Sequence, residues 1–319
     1  MTDDTKPFTG AGTHMGIHHF GRIITAMVTP FTSDGRLDLD GAQVLAEQLT
    51  GRYRNDGLVV NGTTGESSTT SDAEKADLVR AVVAATSPEV RVIAGVGTND
   101  TRHSIALAKA AEAAGADGLL VVTPYYSKPS QSGILAHFRA IADSTELPIM
   151  LYDIPARSGV ALDSETILEA GKHERIIAVK DAKGNLEASA WVMRESSLAY
   201  YAGDDALTLP LSSIGAVGVV SVVGHFCAER IRRIFDAQDR GDTVGALSEY
   251  RAILPVVRAV FRAPAAASVK CALRAVGMPA GPVRLPLVDL TVREEETFVR
   301  ELTHFGALAD DRIAHAVLN

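Results

Sequence analysis

The sequence has only two cysteines, Cys227 and Cys271, and they lie far apart in the chain. Neither belongs to a CxxC pair or to a Cys/His spacing typical of zinc sites. Two isolated cysteines fit packing in a core, in a reducing compartment, better than a disulfide or a metal site. We therefore expect no cross-link and no metal centre built on cysteine.

Several other features are absent. No apolar run approaches the ~18 residues that a membrane span needs, and no basic stripe accompanies the net charge of −8. Residues 1–20 lack the basic start and apolar centre of a signal peptide. We interpret them as a flexible N-terminal arm, in which His14, His18 and His19 fit a loose surface tract better than a metal site. These absences predict a cytoplasmic protein with no membrane or nucleic-acid partner.

Apolar residues are plentiful, at 46% of the chain, and many of them fall in eight short runs. The runs are nearly continuous rather than alternating, which indicates strands covered on both faces and hence a parallel sheet. The runs occupy residues 23–28, 58–61, 91–95, 118–122, 148–152, 176–180, 198–202 and 217–223.

Helical patterns separate these runs. Ser71 and Glu74 have the spacing of a capping box, and Asp100 or Thr101 can cap the helix that follows the third run. Eight strand–helix units in this length predict a (β/α)8 TIM barrel. A doubly wound open sheet is the alternative, but no GxGxxG follows the first run.

The strand signal stops near residue 243, and the rest of the chain has helical patterns. We therefore divide the chain into the arm at 1–20, a catalytic barrel at 21–243 and an all-helical C-terminal domain at 244–319.

The segment RIIAVKDAK places Lys180 directly after an apolar run. In a barrel, active residues lie at the carboxyl ends of the strands. A lysine that points into the barrel mouth loses hydration, which lowers its pKa from ~10.4 and leaves a neutral amine able to form an imine. The alternative interpretation of Lys180 is a solvated flank of the strand.

Other polar residues follow the predicted strands. Thr63 and Thr64, in the turn GTTGE, offer hydroxyl and N–H groups to a small carboxylate, although a plain turn has the same composition. Tyr126 and Tyr152 can donate and accept protons, or can pack at the barrel rim. Arg157 can bind a carboxylate with two parallel hydrogen bonds, or can be a solvated surface residue.

Asp204 and Asp205 resemble a metal-binding pair. No histidine or glutamate accompanies them at a ligand spacing. We therefore predict no metal site there and expect the pair to cap the following helix.

Five motifs, in their order and spacing, resemble the dihydrodipicolinate synthase family of lysine-dependent pyruvate aldolases. They are GTTGES, TPYYSKPSQ, YDIPARSG, IIAVKDAKGNL and AGDDA, and the resemblance covers roughly residues 21–305. It implies a condensation of pyruvate with L-aspartate 4-semialdehyde, on the diaminopimelate route to lysine, without a metal or organic cofactor. It also implies a homo-oligomer, commonly a tetramer built from two tight dimers.

The resemblance implies a role for each matching residue. Lys180 would form the imine with pyruvate, and Tyr152 would be the general acid/base of a proton relay. The catalytic set it implies is Lys180, Tyr152, Thr63 and Tyr126, the last lent by a neighbouring subunit. The substrate-binding set is Thr64 for the pyruvate carboxylate, Arg157 for the semialdehyde carboxylate, and Gly203 and Val220 as lining residues.

Two alternatives stay open. An N-acetylneuraminate lyase or a 2-keto-3-deoxy-sugar-acid aldolase shares the imine lysine, but Arg157 suits a semialdehyde carboxylate better than a polyol. A barrel without catalysis would lack one of Lys180, Tyr152 and Thr63, and all are present.

The positions that bind lysine in feedback-inhibited members differ here. Those members carry two histidines on the helix after GTTGES and an acidic residue beyond the next strand. The corresponding positions in this sequence are Asp72, Lys75 and His103. The difference implies weak or absent feedback by lysine.

Overall fold

The computed structural model describes residues 11–308. Its centre is a closed barrel of eight parallel strands, each paired with the next along the chain, with β8 pairing back to β1. The strands are β1 Ile23–Ala26, β2 Gly57–Val60, β3 Arg91–Gly95, β4 Gly118–Val122, β5 Ile149–Asp153, β6 Ile176–Asp181, β7 Ala199–Ala202 and β8 Gly218–Ser221. Each of the eight apolar runs overlaps one strand, with ends that differ by at most a few residues, so the predicted barrel is confirmed and the open sheet is wrong.

Helices follow the strands around the barrel. Ser71 and Glu74 form the predicted capping box, and the Asp100 side chain accepts hydrogen bonds at the next helix start. The barrel helices are α2 Leu39–Thr50, α3 Asp72–Ala85, α4 Thr101–Ala113, α5 Gln131–Ala142, α6 Pro155–Ser158, α7 Ser164–Ala170, α8 Leu186–Glu195, α9 Thr208–Ser212 and α10 Gly224–Asp239, with a short 3-10 helix at Asp205–Leu207.

Three further helices complete the described chain: α11 Thr243–Val260, α12 Ala265–Ala275 and α13 Val292–His304. They agree with the predicted C-terminal helical region. Within residues 11–308, no single helix has both the length and the apolar composition to cross a membrane. In that range, α11 and α12 together have the length and apolar composition, but they are bent by 104° at the short break between them.

The N-terminal segment differs from the flexible arm that we expected. Residues 11–20 form a helix, α1 Ala11–Phe20. Phe20 is fully buried, and its ring meets the Tyr201 ring edge-on at 6.4 Å between centroids. At Gly16 an added Cβ would lie only 2.1 Å from Ala199 Cβ, so the helix touches β7 closely. Residues 1–10 of the expected arm, and the end of the C-terminal domain beyond 308, lie outside the described residues.

Strand residues alternate between two apolar layers, and this alternation positions the site. On β5, Ile149 and Leu151 pack outward against the helices, whereas Met150 and Tyr152 belong to the barrel interior. The same alternation on β6 places Ala178 in the interior. Since Lys180 lies two residues after Ala178, its side chain also faces inward, at the carboxyl end of the strand.

Candidate active site

Lys180 and Tyr152 lie side by side in the barrel mouth. They are direct partners in the register of β5 and β6. The Lys180 Nζ atom lies 4.0 Å from the centroid of the Tyr152 ring, and only 6% of the Lys180 residue is exposed. The lysine that ends the apolar run is therefore buried, and the alternative of a solvated strand flank is wrong.

The surroundings of Lys180 favour its neutral form. Burial lowers the pKa of Lys180 to about 7, because the ammonium loses its hydration. The Asp205 carboxylate acts in the opposite direction and raises this pKa, whereas the positive charge of Arg157 lowers it. Near neutral pH, Lys180 is consequently a free amine far more often than an exposed lysine is, and the free amine is the form that attacks a carbonyl.

Gly203 and Val220 shape the space around the amine. An added Cβ at Gly203 would lie 2.9 Å from Lys180 Cγ, so a side chain there would displace the lysine. Gly203 N also donates to the Asp181 carbonyl at 2.7 Å, which ties the end of β7 to β6. Val220, on β8, is buried in the interior cluster with Tyr152.

Tyr152 remains protonated over the physiological range. Burial raises the pKa of its phenol to about 12, although the Arg157 charge and a hydrogen bond with Thr63 lower it. Thr63 lies in the turn after β2, so the phenol on β5 is near that turn. Tyr152 is thus a protonated phenol beside both the Lys180 amine and the Thr63 hydroxyl.

The turn after β2 has an unusual backbone. Asn61 and Glu66 have positive φ values of 57° and 55°, a left-handed conformation that asparagine tolerates and glutamate avoids. The hydroxyl of Thr29 donates to the Gly65 carbonyl at 2.6 Å and secures the centre of the turn. Thr64 is buried within it and Thr63 is exposed.

Arg157 lies near enough to Lys180 and Tyr152 for its charge to lower the pKa of both. It belongs to the short helix α6, which begins at Pro155 and ends before Gly159. Gly159 has a left-handed conformation with a φ of 79°. Arg157 is exposed and lines a cavity of about 350 Å³ that Thr63 and Tyr125 also line, whereas Lys180 and Tyr152 are not among its lining residues. An extended carboxylate substrate can therefore meet a cation beside the threonine turn.

Tyr126 does not join these residues. Its side chain is 89% exposed, and its φ of 71° turns the backbone after β4 into the left-handed region. Within residues 11–308 of one chain, Thr63 therefore lies near Tyr152, whereas Tyr126 lies apart from both.

Asp204 and Asp205 have different environments. Asp204 caps the short 3-10 helix by accepting from Ala206 N at 2.9 Å, as expected. Asp205 is buried, accepts from Val222 N at 3.0 Å and from the Ser221 hydroxyl, and burial raises its pKa to about 6. In the described part of the chain, no group of three or more His, Cys, Asp or Glu side chains could hold a metal ion.

Sequence reasoning missed an ionic contact beside the catalytic strands. Lys183 Nζ lies 3.0 Å from Asp153 Oδ2 and 2.9 Å from the Leu162 carbonyl. Since Asp153 directly follows Tyr152, this ion pair ties the end of β5 to the loop after β6. The sequence did offer one signal for this contact, which is that side chains alternate in direction along a strand. This alternation directs residues 153 and 181 away from the barrel interior.

Comparisons with known proteins agree in sequence and in structure. The model of the dihydrodipicolinate synthetase family matches residues 19–305. The 4-hydroxy-tetrahydrodipicolinate synthase of Acidothermus cellulolyticus is 56% identical over 298 residues, which cover 92% of this chain and 96% of that protein. Synthase 2 of Streptomyces coelicolor is 56% identical over 287 residues, covering 90% and 96%. The lysine-bound crystal structure of the enzyme from Cyanidioschyzon merolae superposes with a TM-score of 0.88 at 42% identity and covers 91% of this chain and all of that one.

Proposed function

The chain belongs to the dihydrodipicolinate synthetase family, and from this membership and the geometry around Lys180 we infer its reaction. It is a lyase that condenses pyruvate with L-aspartate 4-semialdehyde to 4-hydroxy-tetrahydrodipicolinate, in the diaminopimelate route of lysine biosynthesis. The observation that carries the chemistry is the buried Lys180 amine, with a pKa of about 7, 4.0 Å from the ring of a protonated tyrosine. The sister lyase and sugar-acid aldolase activities are not favoured, because the similar curated proteins carry the synthase name at 46–56% identity.

Lys180 begins the reaction as a neutral nucleophile. Its amine attacks C2 of pyruvate, the oxygen at C2 leaves as water, and an imine results. When the methyl group of the protonated imine loses a proton, the imine accepts the electron pair and becomes an enamine. The enamine then attacks the aldehyde carbon of the semialdehyde. The amine of the substrate then replaces Lys180 at C2, which closes the ring and frees the enzyme.

Each of these steps moves a proton, and hydroxyl groups carry it. Tyr152 is the general acid/base, since its phenol keeps its proton and lies over Lys180. Thr63 is its hydrogen-bonded partner in the relay. Tyr126 is exposed in its own chain, so it serves the site of a second copy.

The carboxylates of the two substrates have separate binding groups. The turn at Thr64 holds the pyruvate carboxylate through its N–H and hydroxyl groups. Arg157, on the cavity wall, binds the carboxylate of the semialdehyde. Gly203 and the carbonyl of Val220 line the remaining side, where any larger residue at 203 would displace Lys180.

We propose that the assembly is a homo-oligomer, a tetramer of two dimers, as the family resemblance implies. The shared use of Tyr126 supports at least a dimer, because one chain leaves that hydroxyl exposed. We also propose a cytoplasmic location. Its support is chemical: Cys227 and Cys271 are both buried and unpaired, as expected in a reducing compartment.

Borohydride reduction tests the inferred reaction. Incubation of wild-type protein with pyruvate and borohydride should add one reduced pyruvate per chain, detected by intact-protein mass spectrometry. Lys180→Ala should abolish this addition, and Lys109→Ala, at an exposed lysine on α4, should not. An adduct that persists on another lysine in Lys180→Ala would contradict the assignment.

A further inference from the structure

A buried ion pair connects the threonine turn to the C-terminal helices. Lys270 Nζ, on α12, lies 2.6 Å from Glu66 Oε1, and the two side chains are 0% and 1% exposed. Glu66 is the residue two positions after Thr64. The turn that faces the substrate is thus joined to a helix outside the barrel.

Both charges of the pair are further held in place. Lys270 Nζ donates to the Pro282 carbonyl at 2.8 Å and lies 4.1 Å from the centroid of the Phe31 ring. Glu66 Oε2 accepts from Arg284 N at 2.8 Å. Because each charged group has several contacts, the pair fixes a position as well as neutralising a charge.

The segment that follows α12 holds the turn at a second place. The Arg284 guanidinium binds Glu74 at 2.6 and 3.0 Å and donates to the Thr69 carbonyl at 2.8 Å. Glu74 is also part of the capping box with Ser71 that begins α3. Both ends of the segment from Glu66 to α3 are therefore bound to residues beyond position 269.

The turn needs such support, because its own conformation is unfavourable. Glu66 has a φ of 55°. Backbone hydrogen bonds from Glu66 N to the Thr63 carbonyl at 3.1 Å and from Ser67 N to the Gly62 carbonyl at 3.3 Å close the turn, but neither holds the Glu66 side chain. A left-handed glutamate persists when the surrounding contacts determine its position. For the Glu66 carboxylate, those contacts come from Lys270 Nζ and Arg284 N.

We propose that Glu66 and Lys270 are positioning residues for substrate binding. The ion pair sets the turn so that Thr63 reaches Tyr152 and Thr64 presents its N–H to the pyruvate carboxylate. Neither charged group touches substrate, and a misplacement of ~1 Å in such a turn can cost ~10²-fold in rate. The inference rests on the proposed function, since it assigns these two residues to its pyruvate site.

The test measures how much pyruvate is needed to trap the imine. Lys270→Met leaves the Glu66 carboxylate buried without its partner, so we expect the half-saturating pyruvate concentration to rise about tenfold or more, with a smaller loss of trapping rate at saturation. The double variant Lys270→Met/Glu66→Gln removes both charges and keeps an acceptor for Arg284 N. Because the ion pair that sets the turn is missing here too, the half-saturating concentration should stay several-fold above wild type, and a return to within about twofold of wild type would overturn the proposal.

Controls separate positioning from general stability. Arg262→Met, in the loop after α11, breaks the ion pair with Glu301 on α13 and should leave pyruvate saturation unchanged. The melting temperature is recorded for every variant. A Lys270→Met protein that melts lower but saturates with pyruvate within about twofold of wild type would show a structural role only and overturn the proposal.

A second variant covers the case in which Lys270→Met does not fold. Glu66→Gln alone keeps the side-chain volume and weakens the interaction with Lys270. It should raise the half-saturating pyruvate concentration several-fold, and an unchanged value overturns the proposal. Absence of trapping in the wild type would instead refute the proposed function, so the two failures are distinguishable.

Discussion

Burial of Lys180 destabilises the folded protein, and this cost depends on pH. Lys180→Met replaces the ammonium with an apolar side chain of similar length. Burial lowers the pKa of Lys180 from 10.5 to about 7. Because one pKa unit corresponds to about 1.4 kcal/mol, the protonated lysine costs about 5 kcal/mol of unfolding free energy relative to the neutral amine.

The direction of the pH dependence follows from proton binding. Between the folded and unfolded pKa values, the unfolded chain binds more protons at Lys180 than the folded chain does, so stability rises with pH. The loss of unfolding free energy from burying the protonated lysine is complete below about pH 7. It disappears as the pH approaches 10.5. The variant, which carries no titratable group there, lacks this dependence.

Urea denaturation at about pH 6.5, 8 and 9.5 measures the effect. We expect Lys180→Met to be more stable than wild type by about 2–5 kcal/mol at the lowest pH, and the difference to shrink by about 1 kcal/mol per pH unit above 7. Lys109→Met, at an exposed lysine, should differ from wild type by less than about 0.5 kcal/mol throughout.

One result would refute this reasoning about Lys180. If wild type and Lys180→Met differ by the same amount at every pH, the lysine is not a buried ammonium that titrates near pH 7. The physical basis for its reactivity would then be missing, even if the enzyme turns over.

Three other measurements test the site. The rate of imine trapping at saturating pyruvate should fall about tenfold per pH unit below 7, since only the neutral Lys180 amine reacts; a flat profile between about pH 5 and 7 contradicts this. Tyr152→Phe should lower kcat by ~10²–10⁴ in a steady-state assay, whereas a loss under tenfold would exclude a general acid/base role. Asp72 and His103 pair at 3.0 Å within the cavity, and the Lys75 ammonium binds the Thr70 carbonyl. We therefore expect calorimetry to detect no lysine binding at micromolar concentration, and a micromolar Kd would contradict this expectation.

Local patterns in the sequence predicted most of the fold. Near-continuous apolar runs predicted the eight strands, because a strand covered on both faces has no polar side to show. Capping residues such as Ser71 and Asp100 predicted helix starts, since their side chains satisfy the first free N–H groups. Lys180 was identified by its place at the end of such a run.

Contacts between distant segments were not predictable in this way. The N-terminal helix α1 carries no strong apolar period, and its packing depends on the fit of Gly16 against Ala199. The burial of Asp205 depends on the loop after β8, and the pair of Glu66 with Lys270 joins two regions that are adjacent only after folding.

By itself, the sequence determined which side chains lie at the strand ends, because the period of two and the apolar runs are properties of short segments. Only the tertiary structure decided their chemistry. The pKa of Lys180 depends on how completely neighbouring strands exclude water and on where Asp205 and Arg157 place their charges. Burial and charge separation are properties of the assembled barrel, so residue order alone does not specify them.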